Sequence, residues 1–285
     1  MKFNVRKFAI ILVSIVAASF LISGILFYAT GGIKSAAITS GQIKTNESFK
    51  TEGIEKIVIN TVNSKIRILP SEGKDIIADF YGSIITNLGN NSPKLITGIK
   101  DGTLNISISH PKTTSIGLFD VSNLFLDIYM PLQFANEVNA TSVSGEINIE
   151  GFNGKRLMLK TISGNINAKS IKTLEIKADS VSGTVNLENV EGNLKIFTIS
   201  GEVNTGVELL SEDILIETTS GTIKLALPSA SEFGFDLESI SGDIKNNFDS
   251  KINIESGRSL QGNSGEGKNK IKMTTVSGNI TIVKE

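Results

Sequence analysis

From residue 136 to the C-terminus the chain alternates apolar and polar positions in short runs, and each run breaks at a Ser-Gly pair. The pairs are Ser144-Gly145, Ser163-Gly164, Ser182-Gly183, Ser200-Gly201, Ser220-Gly221, Ser241-Gly242 and Ser277-Gly278, at spacings of 19, 19, 18, 20, 21 and 36 residues. Six positions before each serine stand Val138, Leu157, Ile176, Leu194, Ile214, Phe235 and Ile271, and four before stand Ala140, Leu159, Ala178, Ile196, Ile216, Leu237 and Met273. Two before, every residue carries a hydroxyl: Ser142, Thr161, Ser180, Thr198, Thr218, Ser239 and Thr275. Three after, every residue is β-branched: Ile147, Ile166, Val185, Val203, Ile223, Ile244 and Ile280.

A period of two on both sides of the pair predicts strands. The apolar parity is even before the serine and odd after it, so the chain bends or bulges at the pair, where glycine tolerates unusual backbone angles. Each repeat therefore reads as strand, corner, strand and short turn. A unit of this length cannot bury its own apolar face and must stack on its neighbours. The predicted fold is all-β, a single-stranded parallel β-solenoid (β-helix) of about 19–21 residues per coil, with coils about 4.8 Å apart. The hydroxyl column is expected to bond backbone groups at the corners, since buried polar groups need partners.

The long interval before Ser277 holds SGRSLQGNSGEGKN at 256–269, which reads as a polar surface excursion spanning 249–269 overall. Upstream, IVINTVNSKIRI at 57–68 aligns with the repeat, with Asn63-Ser64 in place of Ser-Gly, and is expected to form a divergent capping coil. Residues 74–80, a hairpin at 95–108 turning on Asp101-Gly102, and LFLDIYMP at 124–131 complete the divergent region, 51–135. The Ser-Gly repeats occupy 136–285, and 51–285 reads as one solenoid domain.

Phe8 to Tyr28 runs 21 residues without a charge behind Lys2, Arg6 and Lys7. At 1.5 Å per residue this spans roughly 30 Å, a bilayer's hydrocarbon thickness. Residues 1–31 are therefore expected to form a cytoplasmic stub and an uncleaved transmembrane signal-anchor helix, with 32–50 as a spacer and the β domain outside the cell membrane. Ser35 and Ala37 offer an alternative cleavage site, but the apolar run is too long for a signal peptide and ends well before them.

The chain has 28 Lys+Arg against 29 Asp+Glu, no cysteine and one histidine. No basic excess exists to neutralise a phosphate backbone, so nucleic acid is not an expected partner. Without cysteine there is no disulfide framework, thiolate metal site, cysteine nucleophile or lipoprotein anchor. His110 has no evident partner, and no catalytic, metal or cofactor site is expected. Glu146 and Glu202 are predicted three coils apart, about 14 Å, and Glu202 and Asp243 two coils apart, about 10 Å, poor spacings for an acid/base pair. The candidate binding strip is the outward column Asn148, Asn167, Asn186 and Asn204 with Glu146 and Glu202. The competing reading of that column is a ladder of amides bonding one another.

The [Ser/Thr]-φ-Ser-Gly-x-[Ile/Val] unit, the early IVINTVNSKIRI coil, the DIYMP strand and the closing KIKMTTVSGNITIVK together resemble the DUF4097 family. Its members are bacterial envelope proteins often described as adhesins, LiaG-type proteins among them. The resemblance covers roughly residues 50–285 and implies a β-solenoid with an envelope role and no catalytic residues to carry over. The function expected is a membrane-anchored, non-catalytic binding or scaffolding module whose partner is a cell-wall polymer or envelope protein. The alternatives are an accessory of an envelope stress response and, less favoured, a glycan-active enzyme.

Overall fold

Strand alternation converts directly into two walls, one built from the strands before each corner and one from the strands after it. The computed structural model describes residues 39–86, 92–109 and 121–285, and every regular element among them is a strand. The apolar segment at 8–28 and His110 lie outside the described residues.

The first wall stacks β6 (Thr103–Ser109), β2 (Lys56–Thr61), β8 (Glu137–Ser142), β10 (Asn153–Thr161) and the second halves of β11 (Ile166–Ser182) and β12 (Val185–Ser200). It continues through β14 (Ile214–Ser220), β20 (Asn269–Ser277) and β16 (Phe233–Ser241), parallel throughout. The second wall stacks β7 (Val121–Pro131), β3 (Lys65–Ser71), β9 (Ile147–Glu150), the first halves of β11 and β12, and β13 (Val203–Val207). It ends with β15 (Ile223–Leu227), β21 (Ile280–Lys284) and β17 (Ile244–Asn246), again parallel. The repeat columns stack in register, as in Leu157↔Ile176↔Leu194↔Ile214↔Ile271, and their side chains fill the space between the walls with almost no exposure.

The coils do not follow one another in chain order at either end. The IVINTVNSKIRI coil (β2–β3) is not the cap, because the β6–β7 coil lies outside it. The last coil, β20–β21, inserts between β14–β15 and β16–β17. Antiparallel strands cover both walls at one end and the first wall at the other, where β17 pairs only with β21 among the described residues. β5 (Lys94–Lys100) folds onto β6 through Asp101-Gly102, where both residues have positive φ (48° and 70°), as an Asp-Gly hairpin turn requires. β4 (Asp75–Thr86) pairs with β7, and β1 (Thr39–Lys50) pairs with β4.

Two expectations change here. Residues 39–50 are an edge strand rather than part of a spacer; their apolar signal is faint because only Ile43 and Phe49 pack against the core. The excursion at 249–269 is ordered as a hairpin, β18 (Lys251–Ser256) with β19 (Ser259–Ser264), extending the first wall beyond β16. Its polarity follows from its position, since β18 is exposed along its whole length.

The corners also have a different physical basis from the one expected. Gly183, Gly242 and Gly278 have positive φ, whereas Gly145, Gly164, Gly201 and Gly221 do not. What all seven share is close approach: a Cβ on any of them would overlap the carbonyl oxygen of the adjoining coil's corner. Glycine is required because the backbones stack directly on one another.

The hydroxyl column behaves in three ways, one of them shown by Ser239 and Thr275, which donate to the corner carbonyls of Gly278 (2.9 Å) and Gly221 (3.3 Å). Ser142 and Thr161 accept the amides of Gly145 and Gly164, each at 2.9 Å, as anticipated. Further along, the Gly183 and Gly201 amides donate to the carbonyls of Ser200 and Ser220 in the next coil. The Gly221 amide likewise donates to Ser277. The hydroxyls of Ser180, Thr198 and Thr218 are thereby left buried without a partner among the described residues.

Candidate binding face

The two walls present different surfaces. On the outer face of the first wall, charges alternate from coil to coil: Arg156 bridges Glu137 (2.6 Å) and Glu175 (3.0 Å), and Lys195 reaches Glu175 at 2.6 Å. These two cations hold the Glu175 carboxyl below the usual carboxylate range. Such exposed pairs stabilise little and mark a solvated face.

The outer face of the second wall carries one polar row that never breaks. Register places Asn46, Asp79, Asp127, Arg67, Asn148, Asn167, Asn186, Asn204, Lys224 and Thr281 side by side on successive strands. The four asparagines form the amide ladder that competed with the binding reading. The Nδ2 of Asn167 donates to Oδ1 of Asn148 (2.9 Å), Asn186 to Asn167 (2.9 Å) and Asn204 to Asn186 (3.1 Å). All the amides point the same way, so their dipoles align along the solenoid axis and each bond polarises the next. A primary amide has two N–H donors and two lone pairs. Each ladder bond uses one donor and one lone pair, so self-bonding does not exhaust the face.

Glu146 joins this group, held by Lys65 at 2.6 Å and accepting from Asn167 Nδ2 at 2.7 Å. Glu202 does not; it stands exposed beside a corner, three coils from Glu146. The Glu202–Asp243 separation is larger than anticipated. Because β21 inserts between β15 and β17, these carboxylates are three coils apart, not two, or about 14 Å. The Ser-Gly corners lie along the edge between the walls and serve as stacking contacts.

Sequence reasoning missed the group at the near end of the row. Arg67, which had looked like one of a few scattered arginines, donates Nε to Oδ1 of Asp127 at 2.7 Å, and its Nη2 contacts both Asp127 Oδ2 and the Tyr81 hydroxyl. Tyr81 in turn donates to Asp127 Oδ2 at 3.0 Å. The Tyr81 and Phe125 rings stack at 5.4 Å, with the Arg67 guanidinium 5.5 Å from the Phe125 centroid. Asp127 is only 1% exposed although it sits on an outward face. Burial, then the bond to Asp127, pushes the Tyr81 phenol above its ordinary range, and the same carboxylate raises Arg67 further. The available signal was Asp127 itself, a carboxylate in the middle of the otherwise apolar LFLDIYM run.

Between this group and the ladder lies a groove of about 400 Å³, lined by Arg67, Leu69, Asn148, Asn167 and Asn186, with Glu150, Lys169 and Glu188 along its rim. It is open to solvent and runs across successive coils, with lining from β3, β9, β11 and β12. Among the described residues, no group of His, Asp or Glu is arranged to hold a metal ion.

Glycine-stacked corners, aliphatic ladders between two walls and an unbroken polar row define the class: a parallel β-solenoid with one patterned outer wall. More narrowly, the chain belongs to the DUF4097 family, whose Toastrack DUF4097 model matches residues 105–283. Among solved structures, a candidate cell adhesion protein from Clostridium sporogenes shares 17% identity, covering 86% of this chain and 100% of that one, with a TM-score of 0.39. A candidate adhesin from Bacteroides fragilis shares 15%, covering 88% and 100%, with a TM-score of 0.46. A candidate lipid binding protein from Parabacteroides distasonis shares 14%, covering 86% and 96%, with a TM-score of 0.40. Curated proteins give no significant match.

Proposed function

We propose that this protein is a membrane-tethered, non-catalytic binding module of the bacterial envelope, which presents its second wall to a cell-wall polymer or to another envelope protein. The observation that carries the reading is the unbroken polar row on that wall, with donors and acceptors left over after the ladder has formed. A solenoid suits this role because rigid, evenly spaced coils repeat one chemical contact along a line. The apolar segment at 8–28, with its basic flank, supports a tether that leaves the β domain on the outer side of the membrane.

The test is retention of the full-length protein on isolated cell-wall and envelope material. Replacing Asn148, Asn167, Asn186 and Asn204 with serine should reduce retention severalfold while the circular dichroism spectrum stays that of a β protein. Unchanged retention would remove the asparagine row from the account.

A further inference from the structure

We infer that the groove on the second wall binds a neutral, polyhydroxylated chain, a stretch of uncharged glycan lying along the solenoid axis, rather than an anionic polymer. This inference rests on the binding role proposed above and names the ligand class for it.

Three observations support it. The first is the type of group offered. Amides repeat every strand, about 4.8 Å apart; after the ladder bonds are formed Asn148, Asn186 and Asn204 each present an acceptor beside a donor, while Asn167, whose second N–H goes to Glu146, presents an acceptor. Hydroxyl groups, which both donate and accept, match such a row, whereas phosphates and carboxylates accept only and leave the ladder's carbonyl lone pairs facing like charge.

The second observation is the charge. Both cations that line the groove face carboxylates, Arg67 the buried Asp127 and Lys169 the exposed Glu188. Glu150 has no ion pair of its own among the described residues. The groove therefore carries a slight negative excess, and an anionic chain entering it meets more like charge than counter-charge.

The third is the shape of the floor. Half-buried Leu69 and the stem of Arg67 give the near end an apolar patch beside the polar row, which suits a sugar ring with a C–H face and hydroxyl edges. Arg67 itself is clamped by Asp127 and Tyr81, so this end of the groove needs little ordering when a ligand binds.

The experiment titrates the full-length protein, purified in detergent, with two probes of equal length: a neutral N-acetylhexosamine tetramer and a galacturonate tetramer. Calorimetry should detect the neutral probe, with an affinity insensitive to added salt, and little or no heat from the anionic one. The Asn148→Ser, Asn167→Ser, Asn186→Ser triple variant should weaken neutral binding by at least about tenfold. Leu69→Ser, which leaves the ladder intact, should also weaken it and covers the case in which the triple variant folds poorly. Preference for the galacturonate probe, binding of neither probe, or neutral binding indifferent to both variants overturns the inference. Retention on wall and envelope material, measured on the same preparation, separates the two levels. If retention persists while neither tetramer binds, only the ligand class is wrong and the partner is another polymer or a protein. If retention also fails, the binding role falls with it.

Discussion

At the corners, a single glycine column sets how closely the coils approach. A methyl group on Gly164 would overlap the carbonyl of Gly145, and no side-chain rotation can relieve a clash between two backbones. Gly164→Ala should therefore cost at least about 2 kcal/mol in denaturant unfolding, in the range of overpacked cores. Gly98, on the exposed edge strand β5, has open space around its Cα, and Gly98→Ala should stay within about 0.5 kcal/mol of the wild type. The hydroxyl column gives a second contrast. Thr161→Val leaves the Gly164 amide without its acceptor and should cost about 1–2 kcal/mol. Thr198→Val removes a hydroxyl that has no partner and should cost nothing or stabilise slightly, read from the same unfolding midpoints. A pattern of four columns cannot distinguish these two threonines. They occupy the same position in their repeats, and they differ only because the corner amide finds its acceptor within its own coil in one case and in the next coil in the other.

Each strand alternates an inward aliphatic face with an outward one, and the outward residues carry the chemistry. β14 holds an exception, because Glu217 faces outward between Phe197 and Thr274 yet is only 9% exposed, with one carboxylate oxygen unpartnered among the described residues. Burial raises its carboxyl above the ordinary range, and Lys272 offsets this only in part. With the folded-state value raised, the neutral carboxyl stabilises the fold below the ordinary carboxylate range. That contribution is lost as pH rises through the raised value. Glu217→Gln should therefore have a higher thermal midpoint than the wild type at neutral pH, with the advantage vanishing in acid. A midpoint unchanged or lowered at neutral pH would contradict this. The inward faces were legible in the sequence because stacking repeats one event in every coil, so each column reports the same burial many times over. The Arg67–Asp127–Tyr81 group was not legible, since its residues come from β3, β7 and β4 and meet only because the β6–β7 coil lies outside β2–β3. Local periodicity predicts that coils stack, but it carries no information about which coil lies next to which.

Over the whole molecule, nesting at both ends reorders a repetitive array. The β20–β21 coil is paired on both sides; beyond it β19 covers β16 of the first wall, and at the other end the apolar β4 covers β7 and is itself edged by the largely polar β1. This leaves two broad outer walls, both carrying ion pairs, of which the second also carries the amide ladder and its groove. The proposed binding role requires that the second wall, and not the first, meet the envelope partner. β11 provides an internal comparison, since Asn167 in its first half lies on the second wall and Lys177 in its second half lies on the first. A photo-cross-linking side chain placed at either position, in the full-length protein in intact cells, reports which wall is occupied. Adducts with envelope material from position 167, and none from position 177, are the predicted result. Adducts from position 177 alone, from both positions equally, or from neither would contradict it.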